Sequence, residues 1–245
     1  MTNFINVNLK VLVMDSDYYA LQAINGYLAW DRRTRVTFLA DNLTEMWKHL
    51  DRTAEAELPD VVVLDSDHLG GATGLRVTLD RLCAKIDRVL IVCLAQLIDL
   101  SLIETAVNSG ARAYLLKGEV RAQIAWAVVY AHVLGLDFLV TPEVARAAAA
   151  LSHPRLRTAS VLPRRREYPE LTGRVRQAME LCIIKGMPAQ LAADEMGISL
   201  HTIRSYIKDG YRILEAYDDT EYPVEMSPQE RAFMRLTRFD EENGA

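Results

Sequence analysis

The run Pro59-Asp60-Val61-Val62-Val63-Leu64-Asp65 is apolar on both faces and ends in acid. A strand with that pattern must be covered on both sides, which is the condition of a parallel sheet layered between helices. Similar short apolar runs recur at Lys10–Asp15, Val36–Leu39, Val89–Leu94 and Ala113–Lys117. Helical spacings lie between them. Leu21, Ile24, Tyr27 and Leu28 form one stripe, and Met46, Trp47 and Leu50 form another behind a cap at Asn42 or Thr44. A third helical stretch, Leu100–Ser109, stops at Gly110. This alternation predicts an α/β fold with an N-terminal five-stranded parallel sheet and helices on both faces. Ligands in such folds bind outside the C-terminal ends of the strands.

The polar residues at those ends are Asp15, Ser16 and Asp17 after the first strand, Asp65, Ser66 and Asp67 after the third, and Lys117 after the fifth. Carboxylates from adjacent strands can share a hard cation such as Mg2+. A carboxylate beside that cation can attack phosphorus, and a lysine opposite can pair with phosphoryl oxygens. One Asp at a strand end is commonly only a turn or cap residue. Two acid-ended strands together with Lys117 point to a site.

The stretches Val11–Asp17, Pro59–Asp65, Gly110–Lys117 and Ile124–Ala148 resemble the receiver domain of a two-component response regulator. The resemblance implies a flavodoxin-like fold with Asp65 as phosphoacceptor. It implies Mg2+ held by Asp15 and Asp65, Lys117 on the phosphoryl group, and Tyr114 as the rotating aromatic of the switch. Three departures surround this site. Ser16 stands where the family has a second acid, which weakens the Mg2+ site unless Asp17 reaches in. Ala95 stands at the switch position usually held by Ser or Thr. The loop Ser66–Gly74 lacks the expected proline and is one residue longer. These predict weakened or absent dependence on phosphorylation at Asp65. The alternative is a conventional phosphorylation-switched regulator. The partners implied are a sensor kinase or a small-molecule ligand, together with a second copy of the chain. Ile124–Leu134 is unusually apolar, as is the helix before it. The resemblance assigns that surface to homodimerisation; a fold-back of the helix at Thr141–Leu151 would cover it equally well.

Charge divides the chain. Residues 1–151 carry a net −4, residues 152–215 a net +4 and residues 216–245 a net −5. A basic segment between acidic ones suggests a local polyanion site. Ser152–Glu167, with two prolines and five arginines, shows neither period and is expected to be a mobile linker. Beyond it the pattern is helical. One helix starts at Leu171-Thr172 and ends near Gly186, a second runs from Pro188 to Gly197, and a third begins behind Ser199 with Ile203, Ile207 and Tyr211 or Leu214 inward. Two helices joined by a short glycine turn fit a helix-turn-helix. His201, Thr202, Arg204, Ser205, Lys208 and Arg212 lie off the apolar stripe, and with Ser199 they suit the major groove of double-stranded DNA. Leu171–Leu214 resembles the LuxR/FixJ-type DNA-binding domain, notably at Ala193–Ser199 and Thr202–Arg204, with Gly173 in place of a usual proline. Asp209-Gly210 is expected to weaken the recognition helix near its end.

The expected organisation is therefore of the NarL/FixJ type. Residues 1–135 form a receiver-like domain, 136–167 a helix and basic linker, 168–217 the helix-turn-helix domain, and 218–245 an extension with a short helix behind the capping box Ser227–Glu230. The acidic tail Asp240-Glu241-Glu242 is expected to be solvated. Three separated cysteines do not form a disulfide framework and read as core residues. The N-terminus has no basic region ahead of an apolar stretch, and no run approaches the roughly 18 apolar residues of a membrane span. The chain is expected to be cytoplasmic, without membrane contact. An enzyme reading remains from acid-x-acid at Asp15–Asp17 or Asp65–Asp67, which resembles haloacid-dehalogenase-type phosphatases. Neither motif continues with the Thr or Val those enzymes carry.

Overall fold

The structure is a computed structural model, described for residues 7–218 and 220–240. It forms two compact units, 1–162 and 163–245. Residues 1–6 and the tail acids Glu241 and Glu242 lie outside the described residues.

The first unit is a parallel sheet with helices on both faces. β1 (Leu9–Met14), α1 (Tyr18–Ala29), β2 (Thr34–Ala40), α2 (Leu43–Arg52), β3 (Val61–Asp65), α3 (Gly71–Lys85), β4 (Leu90–Ala95), α4 (Leu100–Asn108) and β5 (Ala113–Leu116) follow in sequence. Then come α5 (Ile124–Val133), β6 (Leu139–Val140), α6 (Pro142–Ala148) and β7 (Ser160–Val161). The strand order is β2-β1-β3-β4-β5-β6-β7, with every pairing parallel. β3 and β4 are buried along their whole length, as two apolar faces require. The order reverses between β1 and β3, so the carboxyl ends of those strands border a crevice that loops from both sides can line.

The sheet has seven strands where five were expected. The two extra strands come from residues 136–162, which were expected to be a helix and linker. β6 pairs with β5 through Ala113–Leu139 and Tyr114–Val140, and β7 pairs with β6. Two-residue strands have no readable period, so the signal was absent. Arg155, expected on a mobile linker, clasps this addition. Its guanidinium donates to Asp137 Oδ2 (3.0 Å), to the carbonyls of Asp137 (2.8 Å) and Ala111 (3.4 Å), and to that of Val107. α6 places Val144 and Ala148 in the core beside Ile103 and Val107 of α4. The helix does fold back, but onto α4 and β5; the apolar Ile124–Val133 packs on α1, and the edge of β5 is paired by β6. Cys93 and Cys182 are buried, whereas Cys83 is exposed, contrary to expectation.

The second unit is helical: α7 (Gly173–Met179) running on through a wide turn at Glu180–Ile184, α8 (Ala189–Met196), α9 (Leu200–Tyr217) and α10 (Pro228–Thr237). Its boundaries are wider than 168–217. Residues 164–166 run antiparallel to 238–240, with Arg166 N donating to Arg238 O and Asp240 N to Arg164 O, both at 2.8 Å. Phe233, Met234 and Leu236 of α10 are buried in the bundle, as the sequence suggests. The capping box at Ser227 and Glu230 is formed.

Candidate functional site

Asp15 directly follows β1 and Asp65 ends β3, so the parallel register brings two buried carboxylates together at the crevice. Lys117 follows β5 and reaches back to both: Nζ lies 2.8 Å from Asp15 Oδ2 and 3.1 Å from Asp65 Oδ1. Ser16 Oγ donates to Asp65 Oδ2 at 3.2 Å. His68, from the loop before α3, brings Nδ1 to 2.8 Å from the same oxygen while most of its ring stays in solvent. His68 is not among the residues expected at this site. The readable signal was a histidine three residues beyond the acid of a strand end.

Opposing influences set the ionisation of these groups. Burial pushes the Asp65 carboxyl up, but hydrogen bonds from His68 and Lys117 and the lysine's charge outweigh it and leave it below the ordinary range. For Asp15 burial prevails over Lys117 and the Asp17 amide, and the carboxyl is raised. Burial would lower Lys117, yet its two carboxylate partners raise it. The hydrogen bond to Asp65 raises His68.

Asp17 does not reach into this cluster. Its Oδ1 caps α1, accepting from the amides of Tyr19 (2.8 Å) and Ala20 (3.1 Å), and its own amide donates to Asp15 Oδ1 at 2.9 Å. A helix N-terminus with open amides attracts a carboxylate, and this one is adjacent. Asp67 is likewise committed, its Oδ2 accepting from Gln96 N at 2.5 Å. The donor set does not fit the Mg2+ that the receiver resemblance implies. A third acid is missing at Ser16, Asp17 faces away, and no group of three His, Cys, Asp or Glu side chains among the described residues could hold a metal ion.

The switch positions are enclosed. Ala95 ends β4 fully buried and presents no hydroxyl to the crevice. Tyr114 is fully buried on the same face of the sheet, in the core cluster that includes Val140, Val144 and Ala148. Burial pushes its hydroxyl up, and that hydroxyl forms no hydrogen bond among the described residues.

The second unit holds the other candidate residues on one helix. Gly197 takes the left-handed conformation (φ 64°) that closes α8, and Ser199 caps α9 by accepting from Thr202 N at 3.0 Å. Ile203 and Leu214 point inward. Ser199, His201, Arg204, Ser205, Lys208 and Arg212 are exposed, and Thr202 is half-buried. His201, Arg204 or Ser205, Lys208 and Arg212 recur at helical spacing along one side, and Arg204 and Lys208 form no ion pair among the described residues. Asp209-Gly210 does not end the helix early; it runs unbroken to Tyr217. Gly210 is buried where a Cβ would come within 2.4 Å of Met179 Sδ, so the glycine serves the close approach of α7. Arg165 and Arg166 are engaged within the unit: Arg165 with Glu180 (3.1 Å) and the Leu236 carbonyl, Arg166 with Asp218 (3.7 Å).

No family model and no curated protein matches the chain. Solved structures do. The Salmonella typhimurium RcsB response regulator is 17% identical over 89% of this chain and 95% of its own, with a TM-score of 0.49. The receiver domain of a putative response regulator NarL from Mycobacterium tuberculosis is 21% identical over 51% and 95%, with a TM-score of 0.42. A LuxR-family response regulator from Aurantimonas is 20% identical over 58% and 96%, with a TM-score of 0.46. The chain is similar to two-component response regulators. At such identities the likeness concerns the fold alone, and the α/β character of the first unit stands on its own strand order.

Proposed function

We propose that the chain is a DNA-binding transcription regulator whose first unit is a receiver-like control domain working without phosphorylation at Asp65. One observation carries the DNA reading: α9 follows a capped glycine turn and directs His201, Arg204, Ser205, Lys208 and Arg212 outward along a single side. Such a face meets phosphates and base edges in a major groove. RcsB, to which the chain is similar, has been solved as a complex with DNA. Salt-dependent binding of the full chain to duplex DNA, followed by fluorescence anisotropy, tests this reading. Binding without salt dependence, or none, rejects it in favour of a protein-binding adaptor.

Independence from phosphate is supported by four features of the first unit. Asp65 already has a partner on each oxygen. Ala95 offers no hydroxyl to a phosphoryl group. Tyr114 is already buried, and α6 occupies the ground beside β5 to which a switching aromatic would turn. Asp65→Ala should leave DNA affinity within about twofold, since a twofold change is under 0.5 kcal/mol. A large loss favours the conventional reading, in which a kinase phosphorylates Asp65 and Lys117 contacts the phosphoryl group. Intact-mass measurement after incubation with a small phosphodonor and Mg2+ separates the two readings directly. A homodimer would use a surface other than the covered edge of β5; sedimentation of the full chain, with and without DNA, reads its presence. The phosphatase reading has little support, because Asp17 and Asp67, the acids it needs free, are bound to backbone amides. No helix among the described residues is long and apolar enough to cross a membrane.

A further inference from the structure

We propose that His68 stands in for a divalent cation at the Asp15–Asp65 pair and closes that pair to metal. Two buried carboxylates facing each other need donors or cations on all four oxygens. Asp15 Oδ1 takes the Asp17 amide at 2.9 Å, Asp65 Oδ1 accepts from Lys117 at 3.1 Å, and Asp15 Oδ2 forms no hydrogen bond but has the Lys117 charge 2.8 Å away. Asp65 Oδ2 remains. There Ser16 at 3.2 Å is a neutral donor with long geometry. His68 completes the set at 2.8 Å.

The loop is built to deliver that ring. Asp67 ties it to the β4 end through Gln96 N, and Leu69 is buried on the other side of His68. Gly74 lets the following helix approach so closely that a Cβ there would fall 1.7 Å from the Leu69 carbonyl oxygen. His68 itself is 63% exposed, so the closure is one side chain on a fixed base. A cation entering the crevice must displace that ring and would still find a serine where a carboxylate is needed. Closure therefore has two parts, a missing ligand at position 16 and an occupant at position 68.

The inference extends the reading of this unit as a receiver-like domain that works without phosphate, and it does not depend on DNA binding. Its test is Mn2+ titration of the full chain, with free Mn2+ followed by electron paramagnetic resonance. The proteins are the wild type, Ser16→Asp, His68→Ala, the double variant, and the double variant carrying Asp65→Asn. The expected result is no saturable uptake by the wild type and one Mn2+ per chain in the double variant. That uptake should be at least tenfold tighter than in Ser16→Asp alone and lost with Asp65→Asn. Thermal melts confirm that each variant is folded. The proposal is overturned if the wild type binds one Mn2+, or if removing His68 leaves the affinity of Ser16→Asp unchanged. It is equally overturned if the folded double variant binds none. The anisotropy experiment on DNA is independent, so failure of one reading does not mimic failure of the other.

Discussion

The crevice of the first unit and the α9 face of the second both gather charged residues, and they treat them in opposite ways. At the crevice Asp15, Asp65 and Lys117 are buried or nearly so and bonded to one another. Along α9, Arg204 and Lys208 stand in solvent with no ion pair among the described residues. Groups already satisfied by their own chain must lose partners before they can take a ligand, and the desolvated ones lose most. Groups held in water on a rigid helix bind a polyanion by releasing its counterions, at little structural cost. On the proposed reading, the second unit is the part that meets a partner directly and the first unit a body with an internally closed site.

The same contrast recurs at the far end of α9, where Asp218 is buried among arginines. Its carboxylate lies 3.2 Å from Arg238, 3.7 Å from Arg166 and 3.8 Å from Arg235, and it accepts from the Thr220 hydroxyl at 2.6 Å and amide at 3.1 Å. The largest effect is expected here. Asp218→Asn should destabilise the second unit by about 3 kcal/mol, because it strands the buried Arg235 and the half-buried Arg166 and Arg238; chemical denaturation of the full chain reads the loss as an earlier transition of that unit. Burial raises this carboxyl, but the Thr220 donors and the arginines bring it below its ordinary value. A carboxylate depressed in the folded state contributes stability that is full above the unfolded pKa of about 4 and is lost as pH falls through the folded value. The wild-type second unit should therefore weaken in acid, and Asp218→Asn should remove that part of the dependence.

Next in size is the double substitution Arg204→Ala with Lys208→Ala. It should weaken DNA binding by about 2 kcal/mol, near thirtyfold, and flatten the salt dependence by about one unit per lost phosphate contact, with no change in thermal stability. An unchanged affinity would break the comparison, since it would mean that the open charges of α9 do not meet the partner. Arg155→Ala should cost about 1–2 kcal/mol of first-unit stability through four lost acceptor contacts, and should raise hydrogen exchange at Leu139–Val140. The smallest effect is that of Asp65→Ala on DNA affinity, which sharpens the comparison by its absence.

Much of the fold was legible. The five apolar runs become five strands in the expected sequence, because a doubly covered strand has no alternative to an unbroken apolar stretch. The helix-turn-helix was equally readable, since Gly197 and Ser199 carry local backbone requirements that a sequence displays directly. β6 and β7 were hidden, as two-residue strands take their geometry from the neighbour they pair with. Arg155 and Arg166 read as linker charge because nothing local reveals a distant carbonyl or aspartate. In the crevice, Asp15, Asp65 and Lys117 were identifiable from their strand ends. His68 offered only its place three residues beyond Asp65, and that spacing acquires meaning from what the ring faces.

By itself, the amino-acid order determined the layered sheet, the positions of its acid-ended strands and the capped helix with its basic side. These follow from short-range periodicity and from conformations that single residues impose. Tertiary structure alone decided that the edge of β5 is covered, that Asp17 caps a helix instead of joining the cluster, and that His68 completes the set around Asp65. Each is a competition among several possible partners for one hydrogen-bonding group, and proximity in the folded chain, not spacing along it, settles such competitions.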